Sequence, residues 1–93
     1  MFSWDTTKAI TNFEKHKVSF EEAATLFADQ NALDWEDLSH SHGEKRFKRL
    51  GKSIESNLLL AVYTVRRIRN EKETIRIISA RKASRKERKA YKA

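Results

Sequence analysis

The sequence predicts an α+β fold, with an antiparallel sheet of about four strands, two N-terminal helices packed on it, and a short basic C-terminal helix. Three observations carry this. Two helix-start signals, Asp5 and the box Ser19-Phe20-Glu21-Glu22, stand early in the chain. From Ala32 onward the pattern changes to short apolar runs bounded by Asn, Asp, Ser and Gly. A second box, Ser84-Arg85-Lys86-Glu87, then opens a basic segment. Helices followed by a run of strands mean helices layered on an antiparallel sheet. A chain of 93 residues makes one domain, residues 1–93, with a single modest core.

Phe2-Ser3-Trp4 alternates and reads as a short first strand closed by Asp5. Asp5 is an N-cap for a helix over about Thr6 to Lys17, in which Ala9, Ile10 and Phe13 share one face. In the box at Ser19 the hydroxyl reaches the amide of Glu22, and the Glu22 carboxylate can return to the amide of Ser19. Val18 stands where a hydrophobic staple belongs. The second helix runs to about Asp29 and buries Phe20, Ala23, Ala24 and Phe27. Ala32 to Asp37 holds a short strand through Leu33 and Trp35, and Leu38 to Gly43 is a loop. Lys45 to Lys52 is a polar strand whose basic side chains suit a sheet edge. Leu58 to Val65 is apolar on both faces and marks the central strand. Asn70-Glu71-Lys72 makes a hairpin turn, and Thr74 to Ser79 returns antiparallel. On that strand period-two alternation places Ile75 and Ile77 on one face and Thr74, Arg76 and Ile78 on the other. Arg85 to Lys92 is the last helix.

Composition removes several function classes. Without cysteine there is neither a disulfide framework nor a thiolate metal site. No cationic segment leads into an apolar run at the N-terminus, and the longest apolar run, Leu58 to Tyr63, is far short of the ~18 residues of a membrane span. A cytoplasmic protein with no membrane association is the expectation. The formal charge of +7 is concentrated: residues 76–93 hold eight Lys or Arg and one acid, whereas residues 1–75 hold twelve of each sign. Such a distribution points to an anionic partner. Residues 1–43 carry three basic and eight acidic side chains, so the two early helices offer no basic recognition face and a helix-turn-helix DNA reader is disfavoured.

Three blocks of residues then stand in a familiar order. The first is Trp4-Asp5 with Lys8, Asn12 and Lys15-His16-Lys17-Val18-Ser19-Phe20-Glu21-Glu22-Ala23. The second is His40-Ser41 followed by Glu44, Arg46 and Gly51. The third is Ile77-Ile78-Ser79-Ala80-Arg81-Lys82-Ala83 with Glu87, Arg88 and Tyr91. In these the chain resembles the BrnT-type toxins of bacterial type II toxin–antitoxin systems. The family usually has glycine after the Lys-His pair, where this chain has Lys17; either Lys17 takes a left-handed conformation at a cost, or the turn differs. The resemblance implies a RelE-like fold and RNA cleavage that inhibits translation and growth. It implies a hetero-oligomer with a BrnA-type antitoxin, a ribbon-helix-helix-like protein that neutralises the toxin and through which alone operator DNA is bound. No cofactor and no metal are implied.

RNA cleavage without a metal activates a ribose 2′-OH that attacks the adjacent phosphorus. It needs a base, cations around the phosphate and an acid for the leaving 5′-oxygen. Arg81, just past the last strand, is assigned to the phosphate because a guanidinium binds two oxygens and stays charged. Arg76 either lines the same site or covers apolar surface. His40 with Glu44 would orient an imidazole near neutrality; the bland alternative is a loop-capping histidine and a separate salt bridge. Lys15 and His16 either complement the first helix's dipole, worth ~0.3–1 kcal/mol, or join the site. Arg46, and Arg85, Arg88 and Lys89 on the last helix, are assigned to the RNA backbone, with docking of an acidic antitoxin segment the alternative for that helix. Trp35, Tyr63 and Tyr91 are candidates for stacking on bases, and Trp4 for the core. His40, His42 and Asp37 form a weak metal-ligand alternative. Beside the endoribonuclease stand two other classes, a non-catalytic nucleic-acid-binding module and a protein-interaction module.

Overall fold

The computed structural model describes residues 1–67 and 72–92. Five strands, β1 (Phe2–Ser3), β2 (Leu33–Glu36), β3 (Phe47–Lys52), β4 (Leu58–Arg67) and β5 (Glu73–Lys82), accompany three helices, α1 (Thr6–His16), α2 (Phe20–Ala24) and α3 (Arg85–Lys92), with 3-10 turns at Thr25–Ala28 and Leu38–His40. The expected α+β order holds. The sheet is larger than about four antiparallel strands: among the described residues it has five, in the order β1-β5-β4-β3-β2, and it is mixed. β1 joins β5 in parallel, Phe2 against Ile75 and Ser3 against Arg76. β4 is central as expected. β3 is not an edge, because β2 pairs along its outer side from Leu33 against Leu50 to Glu36 against Phe47. Asn70 and Glu71 of the expected hairpin turn lie outside the described residues.

The helix starts follow their caps. Asp5 Oδ1 accepts the amide of Lys8 at 3.1 Å, and Ser19 Oγ that of Glu22 at 3.0 Å. The return half of the Ser19 box is not made, because the Glu22 carboxylate accepts instead from Ser53 Oγ at 2.6 Å and Asn57 Nδ2 at 2.8 Å. It ties α2 to the β3–β4 turn. The box at α3 is reciprocal: the Glu87 amide donates to Ser84 Oγ at 3.2 Å, and the Ser84 amide to Glu87 Oε1 at 2.8 Å. Lys17 closes α1 in the left-handed region (φ 59, ψ 29) and donates its amide to Phe13 O. A side chain there costs roughly 1–2 kcal/mol.

Val18, Phe20, Ala23 and Leu26 pack against Leu59, Ala61, Ile77 and Ala80 on one face of the sheet. Burying a Leu, Ile or Phe contributes ~1.5–3 kcal/mol each, so this face carries most of the folding drive. On the other face Leu50, Leu58, Leu60 and Ala83 gather under Tyr91 of α3. The rest of that face is open. Ile10 and Phe13 on α1 remain exposed. Beyond β1, the outer edge of β5 is completed by a side chain: Asn12, buried, donates Nδ2 to Ala80 O at 2.8 Å and to Val18 O at 3.1 Å, and accepts the Ala80 amide at 3.1 Å. This clamp lays the C-terminal end of α1 along the sheet margin.

One irregularity decides which side chains share the open face. Val62 pairs with Ser79 and Tyr63 with Ile77, leaving Ile78 as an extra residue in β5. The β-bulge reverses the alternation. Arg76 opposes Thr64 and Arg81 opposes Leu60. Both arginines, five positions apart, therefore stand on the open face, where a regular strand would put them on opposite sides.

Candidate active site

Two adjoining clefts occupy the open face. One, of about 390 Å³, is lined by Lys15, His16, Leu60, Val62, Ser79, Ala80 and Arg81. The other, of about 240 Å³, is lined by Asp37, His40, Arg46, Lys48, Val62, Ile78 and Ser79. Val62 and Ser79 form a floor common to both. Larger clefts lie elsewhere, such as those along Phe2, Ala28 and Ile54 and along Trp4, Ile10 and Phe13, but neither brings a histidine and cations together.

The segment between β2 and β3 builds one wall. Asp37 donates its amide to Arg46 O at 2.7 Å, and Ser41 Oγ donates to Asp37 O while accepting the Arg46 amide. The loop therefore closes on its own backbone. Within it His40 Nδ1 lies 3.0 Å from Asp37 Oδ2, and Ser39 Oγ donates to Asp37 Oδ1 at 2.9 Å. A proton on Nδ1 satisfies that contact and leaves Nε2 as the acceptor. Burial raises the Asp37 carboxyl pKa, but hydrogen bonds from Ser39 and His40, with the charges of His40 and Lys48, outweigh it and hold the group below its usual range. The expected partner of His40 was Glu44. That pairing is not made: Glu44 faces Arg66, with Arg66 Nε 3.1 Å from its Oε2, an exposed pair of small energetic weight. Asp37 takes the role because it sits one 3-10 turn before the histidine, on the same loop.

Arg81 lines the first cleft with part of its guanidinium engaged. Nη1 and Nη2 donate to the two Glu87 oxygens at 2.8 and 2.9 Å, and Nη1 also reaches Lys82 O at 3.1 Å. Of five N–H donors these use three. The Nε edge with the second Nη2 hydrogen has no partner among the described residues, so one bidentate fork remains. The Glu87 hydrogen bond and charge raise the Arg81 pKa further. Conversely the Arg81 hydrogen bond, opposed by burial but helped by the Ser84 amide and the Arg81 charge, pulls the Glu87 carboxyl down to about 2.

The structure thus brings Arg81, His40, Arg46, Lys15 and His16 to one face. Arg76 stands on that face beside Thr64 but lines neither cleft. Arg85, Arg88 and Lys89 are exposed on α3, which is moored through Arg81–Glu87 and through Tyr91 Oη donating to Asp29 Oδ2 at 2.7 Å. Tyr63 is withdrawn from any base: it is buried between Phe27 and Phe47 and donates to Asp34 Oδ1. Tyr91 is likewise occupied with Asp29 and the Leu50 cluster, and Trp4 is edge-on to Phe20 in the core. Trp35 remains. Sequence reasoning missed Lys48 and the pairing of Asp37; alternation along β3 carried the signal for the first, and the short Asp37-to-His40 spacing for the second.

Comparison with known proteins now bears on this arrangement. A family model described as "Ribonuclease toxin, BrnT, of type II toxin-antitoxin system" matches residues 4–87. That span includes both cleft walls and Glu87, and it defines the class as toxins of type II toxin–antitoxin systems. The chain belongs to the BrnT ribonuclease toxin family. Among solved structures, the crystal structure of the Brucella abortus ribonuclease toxin BrnT is similar in fold, with a TM-score of 0.63 at 19% identity, covering 91% of this chain and 99% of that one. No curated protein matches the sequence. Among the described residues no helix is long and apolar enough to cross a membrane.

Proposed function

We propose that this chain is a cytoplasmic, metal-independent endoribonuclease on a single RelE-like domain, and that it inhibits translation and growth by cutting RNA on the open face of its sheet. The observation that carries the reading is His40, oriented by Asp37 and opening onto a cleft that also holds Arg46 and Lys48. His40 Nε2 takes the proton of the 2′-OH, whose oxygen attacks phosphorus. Lys48, Arg46 and the remaining fork of Arg81 offset the charge that grows on the phosphate oxygens. His16 or Lys15, across the shared floor of Val62 and Ser79, protonates the departing 5′-oxygen. The products are a 2′,3′-cyclic phosphate and a 5′-hydroxyl. Glu44 remains at the margin through Arg66, and Arg76 with Arg85, Arg88 and Lys89 adds attraction for the backbone. Neutralisation falls to a BrnA-type, ribbon-helix-helix-like antitoxin that masks this face in a hetero-oligomer and alone contacts operator DNA.

Incubation of the purified chain with single-stranded RNA in EDTA tests the reading. Cleavage persists in EDTA, ends in cyclic phosphate, and drops by about 10²–10⁴-fold in His40→Ala, with unfolding unchanged because that side chain is 65% exposed. A strict metal requirement, or full activity in His40→Ala, overturns it. RNA binding without cleavage by the wild type favours the non-catalytic module.

A further inference from the structure

Strand register lays one row of side chains straight across the open face: Trp35 on β2 opposite Lys48 on β3, Lys48 opposite Val62 on β4, and Val62 opposite Ser79 on β5. Directly opposed side chains on neighbouring strands stand about 5 Å apart at Cβ. Trp35 is therefore the immediate neighbour of a cation that lines the histidine cleft, and the outermost member of the row. Among the described residues no strand lies beyond β2, and Trp35 is 40% exposed. The other aromatics nearby are engaged on the opposite face, Tyr63 with Asp34 and with the rings of Phe27 and Phe47.

From this row we infer that Trp35 is a stacking platform for one unpaired nucleobase of a single-stranded RNA whose adjoining phosphate rests on Lys48. An indole face beside a cation is the arrangement that holds single strands, the ring taking the base and the ammonium the backbone. Leu33 on the same face, also 40% exposed, extends the apolar shelf. Such a platform selects unpaired over duplex RNA, because a base must leave its helix to lie flat on the indole. It places the bound nucleotide at the β2 margin and leaves the row toward Val62 and Ser79 to the scissile linkage. The inference rests on the ribonuclease reading for the identity of its ligand as RNA, but stacking itself requires no cleavage.

The test uses an uncleavable probe, a short 2′-O-methyl oligoadenylate, against the same backbone carrying abasic sites, with the full chain and its variants. Wild type binds the oligoadenylate about ten-fold more tightly than the abasic strand. Trp35→Leu, which keeps an apolar cover on the sheet, abolishes that preference, and Trp35→Phe restores most of it. Lys48→Ala weakens both probes alike. Equal preference in wild type and Trp35→Leu, or a wild type that does not distinguish the probes, overturns the platform. Loss of an antitoxin's binding in Trp35→Leu with base preference intact would reassign the residue to a protein interface and equally overturn it. Cleavage of ordinary RNA by the wild type, read separately, tells failure of the ribonuclease reading from failure of the platform.

Discussion

Lys48 and Arg49 are neighbours on β3 and lie on opposite faces of the sheet. Arg49 has its donors taken up: it is ion-paired with Asp34, donates Nε to Leu26 O at 2.9 Å and Nη2 to Asp29 O at 3.0 Å, and lies over the Phe27 ring at 4.9 Å. It closes the end of the 3-10 turn after α2, adding a second donor to the Leu26 and Asp29 carbonyls, which also accept the Asp29 and Ala32 amides. Lys48 makes no hydrogen bond or ion pair among the described residues and lines the cleft beside His40. The same strand thus carries one cation consumed by the fold and one left for an anion from outside. Charge counts cannot separate them. Only the face, and the partners found there, can.

The two faces should respond oppositely to mutation. Arg49→Met leaves Asp34 Oδ2 without its cation and removes the second donor from the Leu26 and Asp29 carbonyls, and should lower unfolding stability by about 2–3 kcal/mol, read as a shift in the urea midpoint. Lys48→Met should leave that midpoint within about 0.5 kcal/mol while lowering kcat/KM on RNA by about 10²-fold. A comparable loss of stability in both would break the contrast. A subtler case lies at the border of the open face, where the Arg81–Glu87 pair moors α3. Because the folded carboxyl titrates at about 2 instead of the ordinary 4.5, its stabilisation is complete above about pH 4.5 and is lost as pH falls toward 2. With Arg81 partly in solvent, the contribution is about 1–2 kcal/mol. Wild type minus Glu87→Gln, followed by thermal unfolding, should show that gap at neutral pH and lose it in acid. The smallest effect belongs to the turn after α1. Lys17→Gly relieves a left-handed side chain and should stabilise by about 0.5–1 kcal/mol, raising the urea midpoint without altering cleavage.

Much of the first face was legible in the sequence, because it is built from local signals. Asp5, Ser19 and Ser84 announce their helices through hydroxyl or carboxylate oxygens placed before unsatisfied amides, and Leu58 to Val65 declares a buried strand. The misreadings are non-local. Nothing near Phe2 says that it will lie parallel to Ile75, and nothing near Lys45 that β2 will fold back to cover β3. Glu22 and Glu44 were given near partners by spacing, yet a carboxylate bonds whichever donors the tertiary fold delivers: Ser53 and Asn57 for the first, Arg66 for the second. The candidate site was legible as a set of residue types and not as pairs. His40 was singled out, whereas its orienting carboxylate, Asp37, depends on the short turn at Leu38–His40.

The extra residue at Ile78 acts on β5 as a frameshift acts on a reading frame. A strand is a two-letter text, one letter for each face, and every position is read by counting from a neighbour. One inserted letter leaves the sequence before it untouched and exchanges the meaning of everything after it. Counting by twos from Ile77 assigns Arg81 to the packed face, among Leu59 and Ala61; counting through the bulge delivers it to the cleft. Removing Ile78 would leave every charged residue of β5 in place and still turn its outer end inside out. In this strand the side chain of Ile78 matters less than the fact that a residue is there.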